Sequence, residues 1–204
     1  MRDYLAYAII TLFGASAMTT GAAPLKQSAA TALLGGEVLQ FHNSAHFSTV
    51  QLIHDTVMGG RSDGSLAMLS EPAGLRFSGN LSLANNGGFA SAEFRLAKPL
   101  PAESFNSVKL TVAADGRLYQ LRLKTPYIPQ GVAYVANFKT VEGQKDYYFQ
   151  PTAFNGQFRG RTVTNLPELR LADISHVSVM LADKRSGAYS IVLYSIELSA
   201  LQSI

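Results

Sequence analysis

The chain has 204 residues, 47% hydrophobic and 15% charged, so it can bury a core and differs from disordered proteins in composition. Its net charge of +3 is small and its basic residues are scattered, which argues against a nucleic-acid-binding surface. It contains no cysteine, which excludes disulfides, thiol nucleophiles and a lipidated cysteine. We therefore expect one globular domain that depends on its core for stability.

The first 23 residues are typical of a signal peptide. The apolar run from Leu5 to Met18 is shorter than the roughly 20 residues of a membrane span, and small residues follow it at Ala22 and Ala23, where a signal peptidase would cut. We predict that residues 1–23 are a signal peptide or an uncleaved anchor helix, and that the protein is periplasmic or secreted. In the uncleaved case it would be anchored facing out of the cytoplasm, with this segment as its membrane contact.

Residues 24–40 are predicted to be a linker, because Gly35-Gly36 interrupts any helix among their small, polar and apolar residues. A domain at residues 41–204 follows. There, apolar and polar residues alternate with the period of half-buried strands; such runs lie at 75–83, 108–112, 119–123, 132–138, 177–181 and 192–198. Asp115-Gly116 predicts a hairpin turn. Many short strands without crossover helices predict an all-β antiparallel sandwich or jelly roll.

The motifs of common enzymes are weak or absent in this sequence. Residues 60–64 (GRSDG) match the G-x-S-x-G nucleophile elbow, but no helix pattern follows them, which favours a loop over a catalytic serine. His42 and His46 have i, i+4 spacing, but no nearby Glu completes an H-E-x-x-H zinc site. The sequence therefore favours a non-enzymatic protein with no metal and no cofactor.

Three polar, glycine-rich segments, at residues 54–64, 83–91 and 113–123, form the candidate binding region. Their glycines permit tight turns or close backbone approach, and their Asx and Arg side chains form directional hydrogen bonds. The alternative is that these residues only cap β-turns. The predicted binding residues are Asp55, Met58, Arg61, Asn85, Asn86, Phe89, Asp115, Arg117, Tyr119 and Arg161.

Polar residues from these separate segments are expected to meet in the folded domain. A jelly roll brings distant strand ends and loops together, so Asp55, Arg61, Asn86 and Arg117 should gather on one side. Such a cluster would be either a binding site or a structural latch.

Five phrases, in this order, resemble the complex-I intermediate-associated protein family. They are HDTVMGGRSDG (54–64), FSGNLSLANNGGFAS (77–91), ADGRLYQLRLKT (114–125), FRGR (158–161) and LADKRSGAYSIVLYSIEL (181–198). The resemblance covers about residues 41–200. It implies a galactose-binding-domain-like jelly roll and, for mitochondrial relatives, a role in the assembly of respiratory complex I.

Two functions remain open at this point. The resemblance suggests an exported, non-enzymatic assembly or chaperone-like module with a protein partner. The alternative is a carbohydrate-binding module, because sandwiches of this class often bind sugars on their loops or on a concave face. Tyrosine rings that could stack on sugars are present, although a tyrosine in a sheet more often packs against its neighbours. These residues are Tyr119, Tyr127, Tyr134, Tyr147 and Tyr148.

Overall fold

The computed structural model describes residues 33–201, so the predicted signal or anchor and residues 24–32 lie outside the described part. Residues 33–201 form thirteen β-strands and four short 3-10 helices, with no α-helix in this range. The strands are β1 Leu33–Gln40, β2 Phe47–His54, β3 Ser65–Ser70, β4 Ala73–Leu81, β5 Ala90–Leu96, β6 Ser107–Asp115, β7 Leu118–Lys124, β8 Val132–Lys139, β9 Glu142–Phe149, β10 Asn155–Phe158, β11 Arg161–Thr162, β12 His176–Leu181 and β13 Gly187–Leu201. The 3-10 helices are Asp55–Met58, Ala84–Asn86, Pro151–Ala153 and Leu171–Asp173.

These strands form two antiparallel sheets. The smaller sheet has six strands in the order β3-β4-β13-β6-β9, with β1 paired to the C-terminal half of β13. The larger sheet has seven strands in the order β11-β10-β8-β7-β12-β5-β2. The predicted all-β antiparallel sandwich is confirmed.

The alternating pattern determines which side of each strand is buried. In β7, Tyr119, Leu121 and Leu123 point into the core, and the polar residues between them point outward. Strand β12 behaves in the same way, and both meet the inward residues of β13, such as Ile191 and Leu193. Each predicted alternating run therefore lies on an observed strand, except that the run at 75–83 extends two residues past the end of β4, and one core lies between the sheets.

The predicted linker is wrong in its C-terminal part, because Leu33–Gln40 forms strand β1. Strand β1 pairs with β13, and its register shifts between Leu34 and Gly36. A β-bulge accommodates glycine in a strand, so the glycine pair that would break a helix is tolerated here. Leu39 is buried in the core. The sandwich therefore begins within the stretch predicted as a linker.

The predicted hairpin at Asp115-Gly116 is also wrong. Strand β6 belongs to the smaller sheet and β7 to the larger, so the two strands are not paired. Gly116, with φ of +78°, allows the tight turn between them. Alternation shows that a strand is buried on one face, but it does not distinguish strands that lie side by side from strands that face each other across the core.

Removing side-chain volume from β1 tests whether this strand belongs to the folded domain. Leu39 is 5% exposed and Val38 is 47% exposed. We expect Leu39→Ala to lower the free energy of unfolding by about 2–4 kcal/mol, because it leaves a cavity in the core. Val38→Ala should change it by less than about 0.5 kcal/mol. Urea denaturation measures both, and equal effects would contradict the placement of β1.

Candidate functional site

The carboxylate of Asp55 ties two distant loops together. It is fully buried at the start of the 3-10 helix that follows β2. Its Oδ1 accepts a hydrogen bond from the N–H of Ser62 at 2.9 Å. Its Oδ2 accepts from Ser62 Oγ at 2.5 Å and from the N–H groups of Gly88 at 2.5 Å and Phe89 at 3.3 Å. We call these residues the Asp55 latch; it fixes the loop at 55–62 against the loop at 84–89.

Two glycines make room for the Asp55 carboxylate. A Cβ atom on Gly60 would lie 2.2 Å from Oδ1, and one on Gly87 would lie 2.5 Å from Oδ2. Either contact is far inside van der Waals range, so any other residue would force the carboxylate out of position. The glycine-rich character of these segments therefore serves close packing.

Ser62, the serine of the GRSDG segment, is buried within the Asp55 latch. A nucleophile elbow exposes its serine between a strand and a helix. Here the next regular element is β3, which begins at Ser65. The loop predicted for residues 60–64 is what the structure shows.

Burial by itself would raise the pKa of the Asp55 carboxyl. The hydrogen bonds from the Ser62 hydroxyl and from the backbone of Gly88, Ser62 and Phe89 outweigh that effect, and the pKa lies below its usual value. The group is therefore ionised at neutral pH.

Arg117 forms a second buried network. Its Nε and Nη2 donate to Asp183 Oδ2 and Oδ1 at 3.0 and 2.7 Å, a bidentate ion pair. Its Nη1 donates to the carbonyl oxygens of Gly187 and Ala188 at 3.1 and 3.0 Å, and Nη2 also contacts the carbonyl of Arg185. The hydrogen bonds to Asp183 raise the pKa of Arg117. We call these residues the Arg117 latch.

Asp115 extends the Arg117 latch to its neighbours. Its Oδ1 accepts from the N–H of Arg117 at 3.1 Å, and its Oδ2 accepts from the Tyr119 hydroxyl at 3.1 Å and the N–H of Ser190 at 2.8 Å. Burial, together with the charge of Asp115, raises the pKa of Tyr119. Both carboxylate oxygens of Asp115 therefore accept hydrogen bonds from within the domain.

The structure places the two latches at the same end of the sandwich but in separate networks. That end is where β2, β4 and β6 finish and where β5, β7 and β13 begin. Asp55 and Arg117 are bonded to different partners. Arg61 and Asn86, which were expected to join them, are exposed beside the Asp55 latch, as is Met58.

The remaining predicted binding residues lie either beside the Asp55 latch or away from both latches. Asn85, in a left-handed conformation, donates from Nδ2 to the carbonyl of Gly59 at 3.0 Å, and Phe89 is half-buried next to the Asp55 latch. Arg161 lies apart from both networks on β11, an edge strand of the larger sheet. Ligand binding by these loop residues stays a prediction.

A second polar region, which the sequence reasoning missed, covers the outer face of the larger sheet. Ser178 in the central strand β12 is in register with Glu93 of β5 on one side and Arg122 of β7 on the other. We call the following residues the outer polar face: Glu93, Gln120, Arg122, Lys124, His176 and Ser178. Its signal in the sequence is the polar half of the alternating strands, which alternation alone does not distinguish from an ordinary solvated face.

The contacts on the outer polar face leave one strong donor group unused. Glu93 Oε2 accepts from Ser178 Oγ at 3.1 Å and pairs with Lys124 Nζ at 2.6 Å. Arg122 makes one hydrogen bond to a described residue, from Nη1 to Gln120 Oε1 at 3.0 Å. Burial lowers the pKa of Arg122, although the charge of Glu93 opposes this. Arg122 is thus partly desolvated, and most of its N–H groups have no acceptor within residues 33–201.

A pocket of about 310 Å³ adjoins this face. It is lined by Glu93, Lys124 and His176 and by most of the β7–β8 loop, at residues 125–126 and 128–131. Burial lowers the pKa of His176, and although the charge of Glu93 opposes this, the charges of Lys124 and Arg95 act in the same direction as burial. In the part of the chain that the structure describes, no three His, Asp or Glu residues converge as metal ligands, and no helix is long and apolar enough to cross a membrane.

The sequence matches the family described as Complex I intermediate-associated protein 30 (CIA30) over residues 39–193. No curated protein matches it.

The fold is similar to a family 11 carbohydrate-binding module of the cellulosomal cellulase Lic26A-Cel5E of Clostridium thermocellum, with 14% identity, 83% of this chain and 98% of that chain covered, and a TM-score of 0.60. It is also similar to a family 11 module from Clostridium thermocellum in complex with a β-1,3-1,4-mixed-linked tetrasaccharide, with 14% identity, 81% and 95% coverage, and a TM-score of 0.58. These likenesses confirm the jelly-roll fold.

Replacing Asp55 tests the role of its latch. Asp55→Asn keeps the shape but turns one accepting oxygen into an amino group, leaving buried donors unpaired. We expect the free energy of unfolding at pH 7 to fall by about 2–4 kcal/mol. Asp63→Asn, in the same loop but exposed, keeps the Oδ1 that accepts from the N–H of Asn80, and should change it little.

The stability of Asp55→Asn should also depend on pH differently from that of the parent. The folded pKa of Asp55 is lowered, so its contribution is complete above the unfolded pKa of about 3.9 and is lost as the pH falls through the folded pKa. Urea denaturation at pH 7 and in steps below pH 4 should therefore show a smaller acid-induced loss for Asp55→Asn than for the parent. Identical stability at pH 7 would rule out the latch.

Proposed function

Since the chain belongs to the Complex I intermediate-associated protein 30 (CIA30) family, and since its fold is that of carbohydrate-binding modules, we propose that it is a non-enzymatic carbohydrate-binding protein whose site is the outer polar face. The single observation that carries this proposal is Arg122, a partly desolvated guanidinium with unused N–H groups on a central strand of the sheet.

The chemistry of the outer polar face suits a ligand with many hydroxyl groups. Sugar hydroxyls both donate and accept hydrogen bonds, and this face offers donors from Arg122, an acceptor in Glu93, and both kinds of group on Gln120 and Ser178. These side chains stand on paired strands, which hold a site more firmly than loops do. A partly desolvated donor group with unused N–H groups is also a place where hydrogen bonds to a ligand are strengthened.

The larger sheet is also wide enough for its outer face to bind an oligosaccharide. From β2 to β10 the sheet is about 24 Å wide at the usual strand spacing of about 4.8 Å. The outward residues of β5, β7 and β12 include no Phe, Tyr or Trp side chain, so hydrogen bonds rather than ring stacking would dominate on this face. The family 11 module bound to a tetrasaccharide shows that another protein of this fold takes a ligand of several sugar units.

Affinity gel electrophoresis and calorimetry against soluble polysaccharides test this proposal. The panel should contain mixed-linked β-glucan, xylan, galactan and polygalacturonate. We expect binding to at least one, and a loss of about tenfold or more in affinity for Arg122→Ala, because charged hydrogen bonds are lost. The matched control is Arg76→Ala, an exposed arginine on β4 of the smaller sheet.

Both arginine variants should melt close to the parent, since neither residue belongs to a latch. The proposal fails if no polysaccharide binds, or if Arg122→Ala and Arg76→Ala bind as well as the parent.

A second candidate, an assembly module with a protein partner, is favoured by a different surface. Val57, Met58 and Leu83 are 72%, 58% and 44% exposed on the loops that the Asp55 latch joins. Exposed apolar side chains on a firmly held backbone are typical of protein-binding surfaces. The name of the matched family points the same way.

Charge insertion separates this candidate from the first. If the apolar loops bind a protein, Met58→Asp should abolish a cross-link to that partner in native cells and leave polysaccharide binding unchanged. Met68→Asp, at an equally exposed methionine on β3, is the control and should keep the cross-link. Equal cross-linking by both variants would remove the apolar loops as the docking surface.

A further inference from the structure

A larger pocket, of about 560 Å³, lies at the end of the sandwich opposite to the latches. It is lined by the end of β5 with the loop that follows it, by the start of the β7–β8 loop, and by residues 170–175 before β12. Pro126 and Ser175 line both this pocket and the smaller one beside the outer polar face. The two pockets are therefore neighbours, and a ligand that crosses the face can continue into the larger one.

Positive charge predominates in the larger pocket. Its lining includes Arg95, Lys98 and Arg170 but only one carboxylate, Asp173. Arg170 Nε lies 3.6 Å from Asp173 Oδ2, which compensates that arginine. Arg95 and Lys98 form no ion pair within residues 33–201. Both side chains are exposed, so an unpaired guanidinium and an unpaired ammonium line the open pocket, and their positive potential suits it to a negatively charged group.

An aromatic ring stands in the same pocket. Tyr127 is 40% exposed, and its hydroxyl donates to the carbonyl of Glu168 at 3.4 Å and accepts from the N–H of Arg170 at 3.5 Å. These long contacts link the β7–β8 loop to the segment before β12. The adjoining Pro99 and Pro126 complete an apolar wall. A flat apolar ring next to cations can pack against a sugar ring that carries an anionic substituent.

We infer that the larger pocket binds an anionic sugar residue of a polysaccharide, with its carboxylate or sulfate against Arg95 and Lys98 and its ring against Tyr127. This inference rests on the proposed function and narrows its ligand to acidic polysaccharides. Neutral residues of the same chain would then lie on the outer polar face, where Arg122 and Glu93 meet hydroxyl groups.

Calorimetry with a galacturonate oligosaccharide and with its fully methyl-esterified form tests the inference. Esterification removes the charge and keeps the sugar chain, so we expect about tenfold weaker binding of the ester, the loss typical of a charge-assisted hydrogen bond. Raising NaCl from about 50 to about 500 mM should weaken binding of the acid far more than that of the ester. A sulfated galactan and its desulfated form serve as the second pair, and a preference for either anionic form identifies carboxylate or sulfate.

Three variants test whether the larger pocket is responsible for the tighter binding of the anionic form. Arg95→Gln should bind the acid about tenfold more weakly and leave the ester unchanged, whereas Tyr127→Ala should weaken both. Lys145→Gln, exposed on β9 of the smaller sheet, removes the same charge elsewhere and should change neither.

The outcomes separate this inference from the proposed function. Equal binding of charged and neutral forms overturns the inference and leaves carbohydrate binding intact. Binding of anionic chains that does not respond to Arg95→Gln or Tyr127→Ala also overturns it, because charge alone would then account for the affinity. The absence of binding to every polysaccharide overturns both.

Discussion

Strand β13 pairs with β4 and then β1 along one edge and with β6 along the other. Its first residues, Gly187 to Ser190, receive hydrogen bonds from Arg117 and donate one to Asp115, and the Tyr189 hydroxyl donates to the carbonyl of Asp63. The strand therefore connects the smaller sheet to the loops of both latches. The geometry of that end of the sandwich depends on where β13 begins.

The charged groups of Asp55 and Arg122 differ in how many of their hydrogen bonds are made within the domain. The Asp55 carboxylate is fully buried, and each of its oxygens accepts from the chain itself. The Arg122 guanidinium is partly buried, and most of its donors have no acceptor among the described residues. A saturated buried charge holds loops in place, whereas an unsaturated one is available to a ligand. Hydrogen-bond saturation thus distinguishes the polar residues that hold the loops from those that we propose for ligand binding.

The interior strands could be predicted from sequence because burial on one face produces a strong alternation, as in Tyr119, Leu121 and Leu123 of β7. Edge strands such as β9 are exposed over most of their length and lack that contrast, so they were missed. The glycine-rich loops were recognised as special, but their role was not determined. The partner of Arg117 is Asp183, 66 residues further along, and no local pattern shows whether a charged group finds its partner within the chain or in a ligand.

The latches occupy one end of the sandwich, and the outer polar face runs toward pockets at the other. Substitutions at well-separated positions have nearly additive effects on stability. The effect on stability of a change at Arg122 or in the β7–β8 loop should therefore be independent of the contribution of the two latches. If the outer polar face is the binding site, its ligand preference can change through substitutions there while Gly60 and Gly87 remain constrained by the space that the Asp55 carboxylate needs.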